Sequence, residues 1–460
     1  MKLGKIPLRR LKEILEKAGV TVTLDSNPLD QDTVVSTNPA IGVPLRALGF
    51  FAFHYTATNI AVSHARPVYA TLSILAPPDT GDEELEAILK SFLRECEKYG
   101  VRLVGGHTAR YEGIEYPLAV STILGKKTRE REKPSPGDII YLVGRVGAET
   151  AWLLGKEVPL EELSPLDEAL RLQTVTSVKL MHDVSEGGIL GALLEVSHQY
   201  HVKIKVTARS IETYPGFPEG YEPLASPTYG ALIVFTSPAE PLEGYCDERG
   251  VTCTRLGLVE APGVGVEYKA QLLTETPETP LVELYNPYTP GSWEPAQVLL
   301  AAKKFVSIPG VERIIPEVGT NIAYSKFKPE RPEDVAAIEG RIVRTSRGAR
   351  ICGFPAYGAS RHLARVIIEA SKHDENLRSA INLKPEPRLI ERLRLLGVDV
   401  REIKDFSSFC PVSEALARGS RGQAFYYRDL PNLEPSLVVL AENPHVLVET
   451  VRKALAEDLH

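Results

Sequence analysis

The sequence predicts a mixed α/β and α+β architecture divided among several domains. Three observations lead there. The 460 residues exceed what one hydrophobic core organises, so two to four domains are expected. Apolar segments of period two alternate with segments of helical period along most of the chain. Stretches rich in proline, glycine and other turn residues interrupt the alternation at 134–138 and across 273–294. The expected division is 1–132, 133–272, a linker at 273–294, and 295–460 as a separate α/β domain. No tandem repeat is present.

The elements follow in order. Residues 1–20 form an amphipathic helix. VTVTL and TVVST are short strands around a polar loop that carries Asp25, Asp30 and Asp32. Leu45–Ala65 is apolar nearly all round, as a buried helix must be. VYATLSILAP is a strand. DEELEAILKSFLRECEKY is an amphipathic helix stopped by Gly100. VRLVGGHTAR is expected to be a strand ending in a glycine turn, and YPLAVSTILGK another strand. IIYLVGRVGAETAWLLG reads as strand, turn and helix. A helix is expected over Leu166–Val178, and another after the glycine pair of MHDVSEGGILGALLEVSHQY. KIKVTA, ALIVFTS, VTCTRLGLVE and VGVEY complete a second α+β unit.

Composition narrows the classes. Apolar content of 43% with 25% charged residues is ordinary for a globular protein. A net charge of −7 argues against nucleic acid held by bulk charge. No run approaches the ~18 apolar residues of a membrane span, and the first twenty residues lack a signal-peptide core. A cytoplasmic location is expected. The five cysteines show no CxxC pair; Cys246 and Cys253 are close enough to bridge, but are expected to stay reduced. The 35 prolines, two methionines and many charges lean towards a thermophilic protein.

The chemistry concentrates between Gly340 and Arg365, GRIVRTSRGARICGFPAYGASRHLAR. Arg341–Arg344 and Ala349–Gly353 read as a hairpin, and Pro355-Ala356-Tyr357-Gly358 as a turn. Ser360 can cap the helix that follows. Arg361 and His362 then fall in its first turn, where unpaired backbone N–H groups and the helix dipole favour an anion. A guanidinium and an imidazole there suit a phosphate or pyrophosphate. An ordinary basic helix start with a solvated histidine fits the same residues.

Longer blocks extend this reading. IPEVGTNIAYS, RPEDVAAIEGRIVR and GASRHLARVIIEASKHDENLRSAINLKP closely resemble the archaeal-type thiamine-phosphate synthase domain, ThiN, over about Pro295–His460. The resemblance implies catalytic roles for Arg341 and His362. It implies a reaction joining hydroxymethylpyrimidine pyrophosphate to hydroxyethylthiazole phosphate, with pyrophosphate leaving and Mg²⁺ accompanying the pyrophosphate substrate. Ser360 and Arg361 would bind phosphate, and Asn321, Tyr324 and Asn382 would orient substrate; a plain core or rim tyrosine fits position 324 equally. The tail departs from the family pattern. In FSSFCPVSEALARGSRGQAFYYRDLPNLEPSLVV the family's glycine-rich segment is not recognisable, and Asn432-Leu433-Glu434-Pro435 replaces a turn that carries a lysine. A domain that binds thiamine phosphates without turnover therefore stays open.

The front of the chain, about 1–270, resembles the AIR synthase superfamily (PurM, thiamine-monophosphate kinase, HypE). The residues are VVSTNPAIG, HYTATNIAVSHARP, YGVRLVGGHTAR, PGDIIYLVG and MHDVSEGGILGALLEVS. The resemblance implies a two-part PurM-like module that forms a homodimer through its N-terminal half. It also implies an ATP and Mg²⁺ site, with Asp25, Asp32 and Asp183 as metal ligands and Thr108 and Arg110 as nucleotide contacts. Asn38 and Asn59 stand where relatives carry aspartates, which removes charge a hard cation needs. The expectation is weak ATP binding and a scaffold role. An active kinase or maturation factor is the alternative.

Overall fold

The computed structural model describes residues 5–20, 23–277, 281, 284–286, 289–405 and 410–456. The chain divides into two compact units, Met1–Gly291 and Ser292–His460.

The front unit holds two sheets. The first has five strands, in the order Asn27–Pro28, Thr33–Ala40, Leu118–Lys127, Ala65–Ala76 and Arg102–Arg110. Helix Leu45–Val62 covers it and carries helix Asp82–Tyr99 on its outer side. The two helices approach closely at Gly49, where a Cβ would sit 2.1 Å from the Ile88 carbonyl oxygen. Gly100 ends the second helix in the left-handed conformation, as expected (φ 68°). The second sheet has seven strands, with Val178–Asp183 at one edge and Gln271–Leu273 at the other. Helix Gly188–Tyr200 packs its Leu190, Leu193 and Leu194 against this sheet.

Several local expectations need correction. The strand at Arg102–Arg110 runs through its glycines without turning. Gly106 is there for close strand approach, since a Cβ would lie 2.3 Å from the Leu72 carbonyl oxygen. The expected helix over Leu166–Val178 stops at Leu172, and Val178 opens the edge strand. Cys246 and Cys253 are joined as a disulfide, not reduced. Of the expected linker, Leu281, Leu284, Asn286 and Thr289 are buried, and Tyr285 Oη donates to Glu149 Oε1 at 2.9 Å.

The C-terminal unit is built on a seven-stranded sheet. Its order is Pro355–Tyr357, Val335–Ile338, Ile322–Ser325, Ser379–Leu383, Ser436–Ala441, Ala424–Tyr427 and Val400–Glu402. All neighbours are antiparallel except the last pair. Side chains alternate between two cores, as a pleated strand demands. Ile322, Tyr324, Ile381 and Val439 pack with Phe305, Leu389 and Leu447 from three helices on one face. Ala323, Ala380, Val438 and Tyr427 pack with Leu363, Ile367 and Leu416 from helices Arg361–Ser371 and Pro411–Ala417 on the other. The segment expected as a turn at Pro355 is the sheet's edge strand, paired with Val335–Ile338. The hairpin is Ile342–Thr345 with Gly348–Ile351, so Arg341 precedes the strand rather than lying on it.

Candidate active site

Register decides what gathers at one end of the C-terminal sheet. Ile322 pairs with Ile381, Ala323 with Ala337, Leu383 with Leu437 and Tyr427 with Ser436. The end of strand Val335–Ile338 and the start of Ile322–Ser325 therefore lie beside Asn382 and Tyr427. Arg341 belongs to this end, because Thr320 and Ile342 bridge each other through two backbone bonds of 2.9 and 2.7 Å.

The helix bearing His362 starts there too. Just past its far end, His373 donates from Nε2 to the Leu416 carbonyl at 3.1 Å, at the close of helix Pro411–Ala417. Both helices then feed strands, Ser379–Leu383 and Ala424–Tyr427, that begin at the opposite end of the sheet. At the helix starts, His362 Nδ1 meets Cys410 Sγ at 3.3 Å. Ser360 caps the helix as expected, its Oγ accepting from the Leu363 N–H at 3.4 Å. Arg361, the first helical residue, is exposed.

Arg341 is held from below. Its guanidinium donates to the Val318 carbonyl oxygen. Glu434 accepts from the backbone N–H groups of Glu317 at 2.6 Å and Val318 at 3.3 Å. Asn382 Nδ2 donates to the Gly319 carbonyl at 2.9 Å, and its Oδ1 accepts from the Asn321 N–H at 2.7 Å. The 317–319 loop is thus fixed by two side chains, and it in turn fixes Arg341. Arg341 adopts φ 66°, the left-handed region.

Three candidate residues have other duties. Asn321 is 4% exposed and spends its amide on both backbone groups of Ile338, at 2.7 and 2.9 Å. It and Asn382 act as clamps on backbone. Tyr324 is on the opposite face of the sheet, where the Arg378 guanidinium sits 4.8 Å from its ring centroid. Period two explains this: Tyr324 is odd-man to Asn321 and Ala323.

Cys410 and Glu434 were absent from the sequence-based set. Both lie in the stretches that depart from the family pattern. Burial pushes the Cys410 thiol up, but His362 and Ser413 together outweigh it and hold the thiol below its ordinary value.

The front unit gathers a second charged group. Asp25 Oδ1 accepts from His182 Nδ1 at 2.5 Å, and Oδ2 from Arg131 Nη2 at 2.6 Å. His182 Nε2 donates to Glu195 at 2.9 Å, and Asp183 Oδ1 lies 3.8 Å from Nδ1. Burial opposes the His182 imidazolium, but Asp25 and Glu195 push it up to about 10. Asp25, His182 and Asp183 offer ligand atoms within 4.8 Å of one another. They do not fit magnesium, which needs several open oxygens. Both Asp25 oxygens are already taken up, by His182 and Arg131, and both His182 ring nitrogens face carboxylates. Asp32 stands apart on the exposed hairpin tip, its N–H on Asp30 Oδ1 at 2.9 Å. Arg110 is drawn to the Thr80 carbonyl at 2.8 Å and to Asp82. Thr108 lines a shallow groove of about 340 Å³ with Leu72, Leu89 and His107. Asn38 and Asn59 donate to the Tyr55 carbonyl and Ser36 Oγ at 3.2 and 3.1 Å. His182 could have been suspected from its place beside Asp183 in MHD.

Comparison with known proteins agrees with the two-part construction. Residues 297–453 match the family model for thiamine-phosphate synthase ThiN. Residues 14–126 and 135–269 match those for the N-terminal and C-terminal domains of AIR synthase related proteins. The thiamine-phosphate synthase ThiN of Methanothermobacter thermautotrophicus is 33% identical over 155 residues, 31% of this chain and 82% of that one. The bifunctional thiamine biosynthesis protein ThiDN of Methanocaldococcus jannaschii is 43% identical over 82 residues, 18% of this chain and 20% of that one. Among solved structures, AaThiL complexed with AMPPCP and TMP superposes with a TM-score of 0.50 at 19% identity, covering 59% of this chain and 96% of that one. That likeness establishes the fold of the front unit. Through its C-terminal unit, the chain belongs to the thiamine-phosphate synthase ThiN family.

Proposed function

We propose that the C-terminal unit joins hydroxymethylpyrimidine pyrophosphate to hydroxyethylthiazole phosphate, giving thiamine monophosphate and pyrophosphate. The methylene–oxygen bond breaks with its electron pair leaving on pyrophosphate. The thiazole nitrogen lone pair forms the new carbon–nitrogen bond, so no proton need be removed from that nitrogen. The enzyme's task is to stabilise the departing charge and align the nucleophile. Arg341, with its guanidinium steadied by Val318, supplies a fixed positive group at the site. His362 and the helix start at Arg361 supply donors from the other side. Mg²⁺ enters as part of the pyrophosphate substrate.

What supports this reading is that Arg341 and the His362 helix start both belong to the same end of the sheet. The test is direct: supply both substrates with Mg²⁺ to the full chain and measure thiamine monophosphate. Absence of product, with tight binding of thiamine monophosphate, would favour a sensor instead.

For the front unit we propose a scaffold in place of an ATP-dependent kinase. Support comes from Asp25, whose two oxygens are occupied by Arg131 and His182. A low-micromolar dissociation constant for Mg·ATP, by calorimetry, would overturn it. We propose in addition that two front units pair as a homodimer. The edge strand Arg102–Arg110 is exposed along nearly its whole length, with Val104 at 50%. Sedimentation showing a strict monomer at micromolar concentration would refute the pairing. Among the described residues no helix is long and apolar enough to cross a membrane.

A further inference from the structure

We propose that Cys410 is the positioning residue for His362, holding ring Nδ1 so that Nε2 carries the proton offered to the departing pyrophosphate. The inference rests on the reading of His362 as a leaving-group residue. It assigns a role to a segment that the family pattern does not explain.

The geometry is specific. Cys410 is 4% exposed, and its sulfur lies 3.3 Å from Nδ1. It stands directly before helix Pro411–Ala417, and its carbonyl accepts from Ser413 Oγ at 3.2 Å, so its backbone is fixed. His362 is fixed from its own side by the Ser360 cap and by the contact of His373 with Leu416 at the far end of the helix pair. The sulfur thus has few ways to turn from the ring.

The proton inventory then follows. Either the thiol S–H donates to the Nδ1 lone pair, or a thiolate accepts Nδ1–H from an imidazolium. In both arrangements Nε2 bears a hydrogen. The remaining arrangement, neutral Nδ1–H on a neutral sulfur, uses sulfur as a weak acceptor and gives little. Without sulfur, a neutral imidazole is at liberty to carry its proton on either nitrogen, and one tautomer cannot donate from Nε2. Ser413 and Tyr427 also lie beside Cys410, and Glu434 lies near Tyr427. Arg361 and Arg365 flank His362 on its own helix.

The test uses the full chain with ¹⁵N-labelled histidine and steady-state kinetics. Wild type should show His362 protonated at Nε2 in the ¹⁵N spectrum. Cys410→Ala should mix the tautomers and lower kcat about tenfold, the low end for losing a partner that orients a functional histidine. KM for both substrates should stay within about twofold. Cys410→Ser should restore most of kcat, since a hydroxyl donates to Nδ1 and keeps the fold. A wild-type ring protonated only at Nδ1 would overturn the proposal. So would Cys410→Ala with unchanged kcat while His362→Ala is crippled. His362→Ala turning over like wild type would instead remove the site reading on which the proposal rests.

Discussion

Replacing Asp25 with asparagine tests the charge network of the front unit. The Asp25 side chain is 2% exposed and His182 6%, so the pair sits in a low-dielectric setting. Asparagine keeps the volume and one accepting oxygen, but leaves Arg131 and the imidazolium short of a counter-charge. Removing one partner of a buried ion pair costs about 3–5 kcal/mol. Asparagine's surviving carbonyl places the expected loss near the lower bound, about 3 kcal/mol. For a unit of this size each kcal/mol shifts Tm by about 2–4 °C, so calorimetry should show a fall of about 6–12 °C. Millimolar MgCl₂ should leave the wild-type Tm in place. A change of less than about 2 °C on substitution would refute the ion-pair account. A magnesium-dependent rise in wild type, lost in Asp25→Asn, would show the carboxylates serving a metal after all.

The other predictions are shorter. Arg341→Ala should cut kcat/KM for thiamine monophosphate formation by about 10²-fold, the scale of one preorganised donor. Arg341→Lys should recover only part, because a point charge cannot reproduce a planar fork. Glu434→Ala should lower kcat by loosening the 317–319 loop, and a doubly replaced Glu434→Ala, Arg341→Ala chain should be no worse than Arg341→Ala alone. Protonated His182 has a folded value near 10 against about 6.5 unfolded, so its stabilisation is full below about pH 6.5 and drains as pH rises towards 10. The Tm of the front unit should decline over that interval, and His182→Gln should flatten the decline.

Period and capping were legible in the sequence. Ser360, Gly100 and the apolar helix at Leu45 announce themselves because each signal is local. Close approach was not. Gly106 reads as a turn until the Leu72 carbonyl beside it is known. The candidate site was half legible. Arg341 and His362 could be named from motif and helix dipole, but Cys410 reaches His362 across 48 residues and Glu434 reaches the loop that holds Arg341 across 116 or more, separations no periodicity encodes. Tyr324 was misplaced for a different reason. Its strand has four residues buried on both faces, so no polar alternation marks which side carries chemistry.

The backbone of Arg341 sets stability against activity. A side chain in the left-handed region costs roughly 1–2 kcal/mol, which glycine at the same place avoids. The residue proposed to give the site its fixed positive charge is therefore one the fold would rather lose. Arg341→Gly should melt above wild type while making thiamine monophosphate about as poorly as Arg341→Ala, near a hundredth of the wild-type efficiency. A laboratory selection for heat tolerance alone would drift towards that crippled chain. Only a selection that also demands product would keep the arginine, and with it the strain.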